Sequence, residues 1–159
     1  MDKTASFSFE EIRKNKKRYL SLLLLADEQE DMIDRYLENG WMYVLDADDP
    51  KGVCVVTDEG NGLLEIKNLA IAPDHQGKGY GRAFIEFIAR QYAGRYRRLQ
   101  VGTGDSPLTL PFYEKCGFVR SHTVPHFFTD HYDHPIYEGG VLLTDMVYLQ
   151  MPLPGSSEN

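Results

Sequence analysis

Hydrophobic and polar residues alternate with two different periods along this chain, and these periods divide it into helices and strands. Ser8, with Glu11 three residues later, is typical of a helix start, and apolar residues at helical spacing continue through Leu20–Leu25. A second helix is predicted to begin at Asp27 and to end at Asn39-Gly40. Its buried face is formed by Met32, Ile33, Tyr36 and Leu37.

The middle of the chain predicts strands around one helix. Apolar runs rich in β-branched and aromatic residues indicate successive strands at Trp41–Leu45, Gly52–Val56 and Leu63–Ile71. A helix over Gly79–Tyr92 follows, and a short strand at Leu99–Val101 comes after it. The predicted buried face of this helix consists of Ala83, Phe84, Phe87, Ile88 and Tyr92. A strand-helix-strand crossover therefore lies at the centre of the fold.

The last third of the chain predicts a short helix at Leu108–Cys116 and closing strands at Phe118–Thr123 and Val141–Leu149. The segment Pro152–Asn159 contains two prolines, a glycine and serines, which is typical of a disordered tail. The order of elements predicts a mixed α/β (α+β) fold. Residues 1–151 are expected to form one domain, and residues 152–159 the tail.

Composition narrows the class of protein. The 159 residues are the length of one domain, and 42% hydrophobic with 26% charged residues is an ordinary globular balance. The net charge of −7 argues against a nucleic-acid partner. The most apolar run, Tyr19–Ala26, is shorter than the ~20 residues of a membrane helix, and the N-terminus lacks a signal-peptide pattern. With Cys54 and Cys116 as the two cysteines, we expect reduced thiols, a cytoplasmic location and no membrane partner.

The segment after the third predicted strand has the features of an anion site. Gly77, Gly79 and Gly81 alternate along it, and a helix follows at once. Glycines let successive backbone N–H groups turn toward one anion, and a helix N-terminus adds roughly half a positive charge. Lys78 and Arg82 add full charges. The segment predicts a pyrophosphate site, with a plain tight turn as the alternative.

Two common phosphate motifs do not fit this loop. A Walker A loop needs Ser or Thr where Gly79 stands, and the dinucleotide fingerprint needs glycine where Arg82 stands. The range Lys78–Arg98 contains six basic residues and one acidic residue. Its net charge is +5, which leaves −12 on the rest of the chain. Such a basic island on an acidic protein indicates a specific small polyanion.

Two motifs resemble the GNAT superfamily of N-acetyltransferases. Gln76–Gly81 matches the Gln/Arg-x-x-Gly-x-Gly/Ala loop that binds acyl-CoA in that family, and it follows a strand that ends in Ala72-Pro73. Phe112–Phe118 resembles the family's Tyr-x-x-x-Gly-Phe segment. Within the superfamily, Gly102–Gly104 and Tyr132–Asp145 resemble a group of bacterial members.

The resemblance implies a mixed, twisted sheet with helices on both faces. In this family the sheet splays open between its fourth and fifth strands, which here are Leu63–Ile71 and Leu99–Val101. Acetyl-CoA is the cosubstrate and binds in this gap, and the reaction needs no metal. The backbone of Leu69 and Ile71 would pair with the pantetheine arm, and Asp105 stands where the family has an asparagine. The implied acyl-CoA site consists of Leu69, Ala70, Ile71, Gln76, Gly77, Lys78, Gly79, Tyr80, Gly81, Arg82, Asp105 and Tyr113.

The resemblance also names catalytic candidates. Glu65 matches a catalytic glutamate of histone-acetylating members and would act as the base. In the alternative, Glu65 is a solvated carboxylate paired with Lys67, and ordered water is the base. A strand period of two places Glu65 on the same face as Lys67 and Leu69. Tyr113 would be the acid, since a phenol with a pKa of ~10 carries its proton at neutral pH. A core aromatic is the alternative. The N–H of Leu69 would bind the oxyanion.

The implied reaction moves the acetyl group of acetyl-CoA to a primary amine by direct attack on the thioester. The resemblance does not decide the acceptor. It is either a small molecule of polyamine-like, aminoglycoside-like or amino-acid type, or an amine of a peptide or protein. The alternative function is a non-catalytic module or regulator that binds CoA or acyl-CoA. The oligomeric state also stays open, with a homodimer included.

Two groups of residues bear on the acceptor. The acidic runs Asp27–Glu38 and Asp46–Asp49 either attract a cation or form solvated faces. The four histidines at positions 122, 126, 131 and 134 have no standard zinc spacing, so we expect surface or packing roles, with a substrate loop as the alternative. Since one sheet with its cosubstrate takes up most of the length, acceptor choice is expected to come from the first forty residues and this histidine-rich loop.

Overall fold

The fold is built around a mixed sheet within residues 7–155, the part of the chain that the computed structural model describes. The strands are β1 (Phe9–Ile12), β2 (Trp41–Leu45), β3 (Gly52–Gly60), β4 (Leu63–Ile71), β5 (Arg98–Gly104), β6 (Val119–Val124), β7 (Tyr137–Glu138), β8 (Val141–Leu142) and β9 (Met146–Pro152). The helices are α1 (Leu20–Ala26), α2 (Glu30–Ile33), α3 (Tyr80–Gln91), α4 (Leu110–Lys115) and α5 (Phe127–His131). The main sheet has the order β1-β2-β3-β4-β5-β9-β6, and β7 and β8 form a separate hairpin. Only β4 and β5 pair in parallel among these neighbours, which confirms the predicted mixed fold.

Strand β1 shows that the predicted helix start at Ser8 is wrong. Phe9 lies opposite Leu45 in an antiparallel pair with β2. The Phe9 ring stacks on Phe87 of α3 at 4.4 Å between centroids. This packing outweighs the local capping signal, since burial of a large aromatic side chain stabilises more than a cap does. The helical part begins later, with a 3-10 turn at Lys16–Tyr19 that leads into α1.

Helices cover both faces of the sheet. On one face, Leu23 of α1 and Ile33 of α2 pack on Val53 and Val55 of β3 in one buried cluster. On the other face, the side chains of α3 pack on alternate strand residues in a second buried cluster. Its central members are Cys54, Val56, Leu64, Ile66, Phe84 and Ile88. Alternation along β3 therefore divides the core between the two helical layers.

The sheet opens between β4 and β5. Their parallel pairing starts with Leu63 opposite Arg98 and ends with Ile66 opposite Val101. Beyond that point β4 remains paired with β3, and β5 remains paired with β9 as far as Gly104. The second halves of the two strands therefore diverge, as the family resemblance implied, and they leave backbone groups of β4 without a strand partner on the β5 side.

The C-terminal part differs from the prediction in two ways. The single strand predicted over Val141–Leu149 is divided into β8 and β9. Strand β9 also includes Pro152. The next residue, Leu153, is buried and donates its N–H to the carbonyl of Arg97. Both residues therefore belong to the fold and not to a tail. The rest of the predicted tail, residues 156–159, lies outside the described residues. Within residues 7–155, no helix has the length and apolar character needed to cross a membrane.

Candidate active site

A β-bulge in β4 lies next to the opening of the sheet. Val55 of β3 is opposite Asn68, whereas the next residue, Val56, is opposite Ile66. Lys67 is therefore an extra residue on β4. Bulges of this kind change which side chains face each side of a sheet, and they are common next to active sites.

The bulge changes the face of the second half of β4. Ile66 and Leu69 both pack toward the α3 layer, although they are three residues apart. Glu65 precedes Ile66 and Asn68 precedes Leu69, so both point to the opposite face, the one that α1 covers. The prediction that Glu65 and Leu69 share a face is therefore wrong, because the bulge interrupts the period of two.

A cavity of about 830 Å³ lies at the opening between β4 and β5. Its walls come from the diverging halves of these strands, the end of α1, α4 and α5. The predicted site residues that line it are Glu65, Leu69, Ala70, Ile71, Gln76 and Tyr113. The loop 77–82 and Asp105 do not line the cavity, and Asp105 is exposed after the end of β5.

Glu65 is fixed on the wall of the cavity by two polar contacts. Its side chain accepts a hydrogen bond of 2.6 Å from Gln100 of β5 and forms an ion pair of 2.9 Å with Lys67. The residue is only 5% exposed. The alternative to a catalytic role predicted an ion pair with Lys67, and this ion pair is present. It also predicted a solvated carboxylate, whereas Glu65 is buried on the cavity wall.

Tyr113 is buried on α4 and lines the same cavity. Its ring packs edge-on against Phe112 and Phe118, with centroids 5.1 and 5.6 Å away. Within residues 7–155 its hydroxyl has no hydrogen-bond partner. Burial raises the pKa of this hydroxyl above the ordinary value, so Tyr113 holds its proton throughout the physiological range. Its O–H group is therefore a hydrogen-bond donor available to a bound ligand.

The glycine loop has the geometry of an anion cradle. Gly77 and Gly79 have φ angles of 77° and 86°, and an added Cβ at either would meet nothing within 4 Å. The helix α3 begins without a side-chain cap, and its first bond runs from the N–H of Ala83 to Gly79. The preceding N–H groups of that first turn are thus free of helical partners. Gln76 ties the loop to the end of β4 by donating to the carbonyl of Ile71 at 3.0 Å. These features fit the pyrophosphate of acetyl-CoA.

A second polar cluster in the cavity was not predicted from the sequence. Asp27, after α1, accepts hydrogen bonds from the hydroxyls of Tyr36 at 2.9 Å and Tyr132 at 2.7 Å. The Tyr36 hydroxyl in turn accepts one from Asn68 at 3.1 Å. Burial raises the pKa of the Asp27 carboxyl above its usual range. The acidic run around Asp27 was visible in the sequence, but nothing in its pattern separated Asp27 from its solvated neighbours.

The histidine-rich loop contributes aromatic rings, not imidazoles, to the cavity. Phe127, Phe128 and Tyr132 line it. His131 contacts the carbonyl of Phe127, and His134 contacts Asp133 and Glu28 on the surface. In the part of the chain that is described, no group of three or more His, Cys, Asp or Glu residues is placed to hold a metal ion.

The family follows from comparison with known proteins. Residues 38–120 match the acetyltransferase (GNAT) domain model. The chain is 38% identical over 136 residues to the uncharacterized N-acetyltransferase YvbK of Bacillus subtilis strain 168, a match that covers 83% of this chain and 87% of that protein. The chain therefore belongs to the GNAT acetyltransferase family, and its resemblance to a bacterial group within it is confirmed.

Solved structures agree with this assignment. A GNAT family acetyltransferase from Elizabethkingia anophelis with acetyl-CoA bound is 32% identical, with a TM-score of 0.87 over 92% of this chain and 98% of that one. A Bacillus subtilis acetyltransferase in complex with CoA is 33% identical, with a TM-score of 0.81 over 93% and 99% of the two chains. The protein is accordingly an acetyl-CoA-dependent GNAT acetyltransferase.

Proposed function

We propose that this enzyme transfers the acetyl group of acetyl-CoA to a primary amine by direct attack of the amine on the thioester. One observation carries the proposal: Glu65 and Tyr113 line the same cavity at the opening of the sheet. The first is a carboxylate that can take a proton, and the second is a protonated phenol that can give one. Acyl transfer to an amine is accelerated by a group that takes a proton from the amine and one that gives a proton to the leaving thiolate.

The chain's own groups account for each step. Unpaired backbone of β4 at Leu69–Ile71 aligns the pantetheine arm, and the backbone N–H groups of Gln76–Arg82 hold the pyrophosphate. Glu65, directly or through an ordered water, takes the proton from the attacking ammonium. The N–H of Leu69 binds the developing oxyanion. As the C–N bond forms and the C–S bond breaks, Tyr113 gives its proton to the departing thiolate. It is reprotonated by the second proton, which the attacking nitrogen loses as it becomes an amide.

Release of CoA thiol with a panel of amines tests this proposal. We expect thiol release that depends on the amine and leaves one acetylated amine for each CoA released. Acetyl-CoA binding without turnover on any amine, peptides included, would contradict it and would favour a CoA-binding module.

A bacterial cytoplasm is the proposed location. Cys54 is buried and Cys116 is half-buried, and both are free thiols, which suits a reducing compartment. Cell fractionation should place the protein with cytoplasmic markers, and recovery with an extracellular fraction would contradict this.

A further inference from the structure

The cavity carries an excess of negative charge. Two cationic side chains line it, Arg35 and Lys67, against six carboxylates. Those carboxylates belong to Asp27, Glu28, Asp58, Glu59, Glu65 and Glu138. This formal charge of −4 contrasts with the basic segment that carries the glycine loop. A cavity of one charge sign attracts and concentrates ligands of the opposite sign, so the acceptor end of this site favours a cation.

Asp27 is the carboxylate best placed to bind such a cation. It is half-buried, and each of its oxygens is oriented by a tyrosine hydroxyl. The rings of Tyr36 and Tyr132 also line the cavity and present aromatic surface, which attracts organic cations. The two tyrosine hydroxyls and the backbone N–H of Gln29 leave a lone pair on the carboxylate for a further donor.

Asn68 supplies a second and independent sign of a ligand. It is 2% exposed and lines the cavity, and its amide nitrogen donates to the carbonyl of Leu23 and to Tyr36. Its carbonyl oxygen, Oδ1, accepts no hydrogen bond within residues 7–155. A buried acceptor without a donor is costly. A protonated nitrogen has several N–H groups, so it can serve both Asp27 and this oxygen.

We propose that the acceptor is a small amine with a second protonated nitrogen, and that Asp27 and Asn68 bind this second nitrogen while the first is acetylated near Glu65. This inference rests on the proposed function. Asn68 and Glu65 share one face of β4. Because Lys67 is bulged, their partners on β3 are only two residues apart, about 7 Å at the usual strand rise. The two nitrogens must therefore be joined by a chain of several carbons.

Three acceptors of equal chain length test the inference. Pentane-1,5-diamine has the second nitrogen, 5-aminopentan-1-ol replaces it by a neutral hydroxyl, and pentylamine lacks any polar group there. We expect the diamine to exceed both others in kcat/KM by about tenfold or more, as a hydrogen bond to a charged group would give. Equal values for the three, or faster acetylation of a peptide lysine than of the diamine, would overturn the inference.

The variant Asp27→Asn removes the charge and keeps the shape. We expect the advantage of the diamine over pentylamine to fall to about one, because kcat/KM for the diamine falls much further than kcat/KM for pentylamine. Asp34→Asn is the control, because Asp34 is exposed in the same acidic run and pairs with Lys17 outside the cavity. An equal loss on diamine and pentylamine in Asp27→Asn would assign Asp27 a structural role and overturn the inference.

Binding separates this inference from the proposed function. In the presence of CoA, pentane-1,5-diamine should raise the melting temperature of the wild-type protein more than pentylamine does, and this difference should vanish in Asp27→Asn. That pattern without any thiol release would support the diamine site and contradict the proposed chemistry. Turnover of amines without any preference would support the chemistry and contradict the diamine site.

Discussion

Glu65 and Asn68 face the same side of β4, although residues three apart on a regular strand lie on opposite faces. The extra residue Lys67 brings this about, at the point where β4 parts from β5. One bulge thus places the candidate base and the unpartnered amide oxygen on one cavity wall. It also turns Leu69 to the α3 side of the sheet.

Tyr113→Phe should lower turnover far more than it weakens acetyl-CoA binding. The variant keeps the buried ring and removes the proton that we assign to the departing thiolate. We expect kcat to fall about a hundredfold, the usual scale for loss of a general acid. Steady-state thiol release and a binding titration measure the two effects. Tyr19→Phe, at a buried tyrosine outside the cavity, serves as the control. Unchanged kcat in Tyr113→Phe would remove Tyr113 from the acid role.

Glu65→Gln should slow the reaction most at low pH. An amine acceptor is increasingly protonated as the pH falls, so removal of its proton by the base matters more there. We expect a loss of about a hundredfold near neutral pH that shrinks as the pH rises toward the pKa of the amine. Glu114→Gln, which alters a surface carboxylate paired with Arg120, is the control. A small loss that is uniform across pH would favour ordered water as the base.

Gly79→Ala should weaken acetyl-CoA binding beyond its effect on stability. Alanine at a φ of 86° is strained by about 1 kcal/mol, and the new methyl group would extend into the open space over the loop. Gly60→Ala is a matched control, because Gly60 has the same φ and equally open surroundings at the end of β3. Both variants should lose similar unfolding free energy in denaturant titrations, but KM for acetyl-CoA should rise, by about tenfold, only in Gly79→Ala. Equal KM values would place the pyrophosphate elsewhere.

The diamine preference should decline as the pH falls. The carboxyl group of Asp27 is faced by the hydroxyls of Tyr36 and Tyr132, by the backbone N–H of Gln29 and by the charge of Asp31. Burial raises its pKa, so the carboxylate is present above that pKa and is lost at a higher pH than for an ordinary aspartate. The ratio of kcat/KM for pentane-1,5-diamine and pentylamine measures this directly, since protonation of the attacking amine affects both acceptors. A ratio that rises as the pH falls would contradict a role for Asp27.

The core and the cofactor side of the fold were largely predictable from the sequence. Strands at Trp41–Leu45 and Leu63–Ile71 were predicted with their observed bounds, because alternating apolar runs between turn residues are strong local signals. The glycine loop could also be identified from local sequence, because the residues that give it the features of an anion site follow one another along the chain. The helix predicted at Ser8 was wrong because a capping pattern carries no information about the distant Phe87 on which Phe9 stacks.

The acceptor side was not predictable because it depends on distant residues and on one irregularity. Asp27 and Tyr132 are 105 positions apart, and their hydrogen bond follows only from the packing of the loops at the end of the sheet. The bulge at Lys67 has no sequence signature, yet it decides which residues of β4 face the acceptor. Sequence periodicity assumes a regular strand, so it assigned Leu69 to the wrong side.

Transfer of isotopically labelled acetyl from acetyl-CoA tests the central claim most directly. Wild-type enzyme is mixed with labelled acetyl-CoA, first without and then with pentane-1,5-diamine, and both the intact protein and the amine are examined by mass spectrometry. We predict an unlabelled protein at all times, and one labelled acetyl group on the amine nitrogen for each CoA released. Label on the protein before the amine is added, or CoA release without acetylated amine, would contradict direct attack at the Glu65–Tyr113 site.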